Sequence, residues 1–86
     1  MPYHTYILVS TDRGLRFYVG MSEDVNRRLV EHNSGKTKST KAYRPWKIFF
    51  YEIVADRKTA REREKYWKSG TGRERIKVKW SEINRE

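Results

Sequence analysis

The sequence predicts a small α/β domain of the α+β type, a three-stranded antiparallel sheet flanked by helices in the order β-β-α-β-α-α. Three observations carry that prediction. The stretches TYILVS and LRFYVG are β-branched and aromatic and flank TDRG, which is turn material. KIFFYEIV is a continuous apolar run of strand length. Thr59-x-x-Glu62 and Thr71-x-x-Glu74 are capping-box patterns, each opening a segment with helical spacing of apolar residues.

Residues 5–10 and 15–20 form the expected hairpin. Ile7 and Val9 with Leu15, Phe17 and Val19 make one apolar face, while Tyr6, Leu8, Arg16, Tyr18 and Gly20 fall on the other. For the two sets to match, the loop must hold an odd number of residues. Asp12-Arg13-Gly14 satisfies this and puts a glycine at the left-handed position. The first helix is expected over about 23–33, with Ser22 as its cap, Glu23 and Asp24 at its positive end and Gly35 closing it after Asn33-Ser34. Residues 35–47, GKTKSTKAYRPWK, show no periodicity and read as a loop ordered in part by Tyr43 and Trp46. The third strand is 47–54. In the second helix Ala60, Glu64 and Trp67 share a stripe until Ser69-Gly70 stops it, and Ile76, Trp80 and Ile83 suit a third helix, although Ile76 to Trp80 also alternates with strand period.

At 86 residues the chain is read as one domain, 1–86, with a modest core. Twenty Lys and Arg against eleven Asp and Glu leave a net charge of +9, which suits a polyanionic partner. The absence of cysteine removes disulfides, Cys-based zinc sites and thiol nucleophiles. No stretch has the length and apolarity of a membrane span or of a secretory leader, so a cytoplasmic location with no membrane partner is expected.

Candidate functional residues emerge from the same walk. Tyr6 and Tyr18 share one face of the hairpin. Val25 and Leu29 turn one side of the first helix inward, and Arg28 lies beside them, with His32 one turn on. Arg27 is placed to pair with Glu31 at i+4. Glu64 sits in the inward stripe of its helix, where an ionised carboxylate is costly unless a cation meets it. A divalent metal would meet that need, and so would a salt bridge to Arg28 or Arg61. Lys36, Lys38, Lys41, Arg44 and Lys47 make the 35–47 loop wholly basic. It suits phosphate contacts, with Tyr43 or Trp46 to stack on a base, or is simply a solvated loop. Arg73, Arg75, Lys77 and Lys79 extend that charge.

Tyr6 in YHTYIL, Tyr18-Val19-Gly20, Arg28 ten residues past the second tyrosine, and Glu64 in TAREREKYW together resemble the GIY-YIG nuclease superfamily. The likeness is to its small single-domain members related to the nicking domain of bacterial excision-repair nuclease, and it spans roughly residues 3–80. EHNSGK, the RPWK entry to the third strand and the break at residues 68–73 resemble the same subgroup. Two positions depart from the family. His4 stands where the first motif has glycine, and Met21 stands where some relatives have a lysine beside the scissile phosphate.

The resemblance implies a divalent-metal-dependent DNA endonuclease. Tyr18 would be general base or orienter of the attacking water, Tyr6 would take a catalytic part beside it or else pack or position the phosphate, and Arg28 would stabilise the phosphate charge. His32 would assist Tyr18, contact the phosphate or meet the helix end. Glu64 would hold Mg2+ or Mn2+, cations that retain water and need few protein ligands. The chain has no room for a separate recognition domain, so little sequence preference is expected, with targeting left to DNA shape, damage or a protein partner. The alternatives are a weakly active or inactive nucleic-acid-binding module of the same fold, and a small RNA- or ribosome-associated protein. Neutralising six phosphates would give a slope of log affinity on log salt of roughly −5.

Overall fold

The computed structural model describes residues 2–84. The chain runs β1 (Tyr3–Ser10), β2 (Arg16–Ser22), α1 (Val25–Ser34), a single 3-10 turn at Lys41–Tyr43, β3 (Lys47–Val54), α2 (Arg57–Lys68) and α3 (Gly70–Ile83). The sheet is antiparallel with strand order β2-β1-β3. The predicted class and element order are therefore those of the molecule.

The strand β1 is central, which is why its last six residues, Thr5 to Ser10, are all buried. Ile7 pairs with Val19, and Tyr6 with Gly20, in the parity expected from an odd loop. Gly14 lies at φ 89°, the left-handed conformation anticipated for it. Leu15 departs from the expected apolar face: it precedes β2 and is 47% exposed.

Each sheet face carries its own core. On one side Ile7 and Val19 meet Trp67 of α2 and Ile76 of α3, with Phe17, Phe49, Phe50 and Tyr66 around them. On the other, Tyr6 and Leu8 meet Val25 of α1 and Trp46, with Tyr18, Leu29, Tyr43 and Ile48 around them. A bulge explains the unbroken apolar run of β3. Ile7 pairs with Phe50 but Leu8 with Ile48, so Phe49 is an extra residue. Consecutive Phe49 and Phe50 thus both serve the α2–α3 side, Phe49 against Phe17 and Trp80 and Phe50 against Trp67.

The helix starts differ from expectation, each capped two or three residues away from the predicted cap. Asp24, not Ser22, caps α1, its carboxylate accepting from Arg27 N–H at 3.0 Å. Ser22 ends β2 and accepts from Asp24 N–H instead. Asp56 caps α2 by accepting from Thr59 N–H, so Thr59 lies within the first turn. Ser69 caps α3, one residue after α2 has ended, leaving Thr71 inside the helix. Gly35 closes α1 at φ 86° as expected. In α3, Ile76 is buried and Trp80 packs on Phe17 and Phe49, but Ile83 is 67% exposed and is no core residue.

Candidate active site

The site is built around the cross-strand pair Tyr6 and Gly20. A Cβ at position 20 would lie 2.6 Å from both Cζ and Oη of Tyr6 and 3.0 Å from Cε2 of Tyr18. Glycine is therefore required where the Tyr6 ring crosses the neighbouring strand, and this gives the glycine after Tyr18-Val19 a steric cause. Tyr6 is 1% exposed and Tyr18 is half-buried beside it, ring centroids 6.3 Å apart.

Behind the tyrosines lies a buried polar chain. The Tyr6 hydroxyl is 3.2 Å from Nε2 of His32, and Nδ1 of His32 is 2.8 Å from the hydroxyl of Thr40, which in turn donates to the Thr37 carbonyl at 3.3 Å. With its proton committed to that carbonyl, Thr40 accepts from His32 Nδ1–H. Nε2 is then the unprotonated nitrogen and the Tyr6 hydroxyl donates to it. Burial, assisted by the Arg28 charge, holds the His32 pKa below its ordinary value, in keeping with a neutral ring. The ring also lies 4.6 Å from that of Tyr18. With no exposed surface, His32 backs the tyrosines instead of facing a phosphate.

Arg28 projects from α1 onto the same group. Its guanidinium charge is held firmly, its pKa raised first by the Tyr6 hydroxyl and then by Glu31. Glu31 also approaches Arg27 at 3.8 Å, the i+4 pair expected, but its closer bond is to Arg28. Burial pushes the Tyr6 hydroxyl above its ordinary pKa while Arg28 pulls it down. The negative charges of Tyr18, when ionised, and of Glu64 push it up.

Glu64 lies on α2, which packs on the opposite side of the sheet from α1. Its ion pair is with Lys68, one turn on at 3.3 Å, and not with Arg28 or Arg61. Its side chain is only 20% exposed whereas Lys68 is 52% exposed, so the partner can swing into solvent and leave the carboxylate free. Among the described residues no group of three His, Cys, Asp or Glu could cage a metal ion. A single, largely buried carboxylate with a displaceable partner still fits Mg2+ or Mn2+, which keep most of their coordination as water and substrate oxygens.

The six basic candidates outside this cluster, Lys36, Lys38, Lys41, Arg44, Lys47 and Arg73, are all exposed. Trp46 corrects an expectation. It is 4% exposed, its indole N–H donates to the Thr40 carbonyl, and Asn33 grips its backbone N–H and C=O, so it anchors the loop and has no face left for a base. Tyr43 is half-buried beneath the Arg16 guanidinium, 4.6 Å from its ring centre. Thr40 is the buried partner that residue-level reasoning misses, since a threonine in an aperiodic basic loop carries no signal of its own.

A model of the GIY-YIG catalytic domain matches residues 2–77. The chain is 36% identical over 70 residues to a UPF0213 protein of Bacillus pumilus, covering 80% of this chain and 69% of that protein. It is 35% identical over 74 residues to one of Staphylococcus epidermidis, covering 85% and 88%. Against one of Syntrophus aciditrophicus it is 35% identical over 77 residues, covering 87% and 86%. No solved structure gives a significant match. With that model matching residues 2–77 and these relatives above 30% identity, the chain belongs to the GIY-YIG family of catalytic domains.

Proposed function

We propose that this protein is a divalent-metal-dependent DNA endonuclease, directed by DNA structure or damage with little sequence preference. The observation that supports the reading best is that Tyr6 and Tyr18 stand side by side on one face of the sheet, ring centroids 6.3 Å apart, over Gly20 and backed by His32 of α1. Family membership supports the reaction class.

Hydrolysis requires attack of a water oxygen on phosphorus, loss of the water proton and departure of one ester oxygen. Tyr18, the less buried phenol, orients the water or accepts its proton. Arg28, positively charged and fork-shaped, stabilises the charge that grows on the phosphate oxygens. Tyr6 commits its proton to His32, which leaves its oxygen lone pairs open to the Arg28 guanidinium, itself held by Glu31. Glu64 would hold Mg2+ or Mn2+, a group that when bound would supply positive charge to the phosphate and the leaving oxygen. Lys36, Lys38, Lys41, Arg44, Lys47 and Arg73 supply exposed cations for the flanking phosphates.

Nicking of supercoiled plasmid in Mg2+ or Mn2+, abolished by chelation and by Tyr18→Phe and Glu64→Ala while DNA binding persists, is the expected result. DNA binding without nicking in either metal would replace the proposal with a non-catalytic binding module. Tighter binding of structured RNA than of branched DNA would replace it with an RNA-associated role.

A further inference from the structure

The strand β2 lies at the edge of the sheet, so one side of its backbone has no partner strand. An open groove of about 480 Å³ follows that edge, bounded by residues 15–19, by the end of α2 and by the first turns of α3. Lys68, Arg73 and Lys77 line it together with Tyr18 and with Arg16, whose guanidinium lies over Tyr43, and no Asp or Glu does. Lys68 is also the ion-pair partner of Glu64, so the groove is continuous with the carboxylate's surroundings. Its remaining surface is apolar and includes half-buried Phe17 and the exposed side chain of Leu15.

We propose that this groove binds a single-stranded DNA arm leaving the scissile position, which makes the substrate class a duplex with an unpaired arm. Two properties distinguish such an arm from continuous duplex. Five residues of strand span roughly 16 Å, long enough for an extended sugar-phosphate chain to lie along the edge with Lys68, Arg73 and Lys77 as cations for its phosphates. The apolar surface between those cations suits unstacked bases, which duplex DNA keeps turned inward. The cleavage of that arm rests on the nuclease reading above; its binding does not.

The test measures binding without catalysis. Fluorescence anisotropy in EDTA compares a labelled blunt hairpin duplex with the same duplex bearing a ten-nucleotide unpaired arm. The arm is expected to tighten binding about tenfold in the wild type. Arg73→Glu with Lys77→Glu should abolish that advantage. Arg57→Glu with Lys58→Glu, which changes net charge equally on exposed residues outside the groove, should weaken both DNAs together and preserve the ratio. All four positions are exposed, and circular dichroism checks that each variant is folded. A ratio near one in the wild type, or an equal loss of ratio in both double variants, overturns the groove assignment. So does an arm of RNA that binds better than DNA. Nicking with a ratio of one leaves the nuclease and removes the groove; the full ratio without nicking in any metal does the reverse.

Discussion

Replacing Gly20 with alanine tests the steric centre of the site. The added methyl would sit 2.6 Å from Tyr6 Cζ and Oη, about 1 Å inside ordinary carbon contact. Tyr6 is 1% exposed and enclosed by Leu8, Val25 and Trp46, so the ring has no free volume to enter. Yielding by 1 Å would stretch its 3.2 Å bond to His32 beyond hydrogen-bond range. Overpacking of a tight core costs about 1–3 kcal/mol, and a buried polar group stripped of its partner costs about 1–3 kcal/mol more. A loss of about 3 kcal/mol is therefore expected, which for a domain of this size lowers Tm by roughly 12 °C or more. Urea unfolding of the variant beside Gly70→Ala provides the comparison. Gly70 opens α3 with nothing within 4 Å of its added Cβ, so that substitution should be neutral or stabilise slightly. A Gly20→Ala protein within about 0.5 kcal/mol of wild type would refute the reasoning, because the contact would then not be the reason for glycine.

Three other outcomes follow from the same geometry. Thr40→Val keeps the shape but leaves His32 Nδ1–H without its acceptor, and should cost about 1–3 kcal/mol in urea unfolding, with Thr40→Ser recovering most of it. Trp46→Ala removes a buried indole, its bond to the Thr40 carbonyl and much of what fixes the basic loop. A loss of about 3–5 kcal/mol is expected, and new proteolytic cleavage within 35–47 would report the loosened loop. Glu52 accepts two bonds from Arg63 and one from the Trp67 indole, and Arg63 first and foremost holds its pKa below the ordinary value of 4.5. Its contribution is complete above about pH 4.5 and is lost as pH falls through the depressed folded value, so the Tm gap between wild type and Glu52→Gln should narrow on acidification below that point. A gap that is constant from pH 7 to pH 3 would contradict the assignment.

Much of the fold was legible because its signals are local. Alternation placed Tyr6 and Tyr18 on one face of a hairpin whose loop parity is set by covalent geometry. Apolar run length identified β3, and caps with helical spacing located three helices to within two residues at most ends. The misplaced starts have a common cause. Ser22 and Asp24, Asp56 and Thr59, and Ser69 and Thr71 all carry capping side chains, and local propensity does not rank two candidates so close together. Docking decides between them; the Thr5 hydroxyl, for instance, donates to the Ala60 carbonyl and fixes where the first turn of α2 sits.

What the sequence determined by itself was the set of elements, the facing of the tyrosines and the identity of the polar residues near them, since these follow from the periods of strand and helix and from side-chain chemistry. Only the tertiary structure decided that β1 is central, that Trp46 is buried under the loop it was expected to arm, that Thr40 closes the chain through His32 to Tyr6, and that Glu64 pairs with Lys68. The reason is separation along the chain. Each of those outcomes except the last joins residues that no single element's period connects, and the last depends on which neighbouring cations the assembled sheet leaves within reach of the carboxylate.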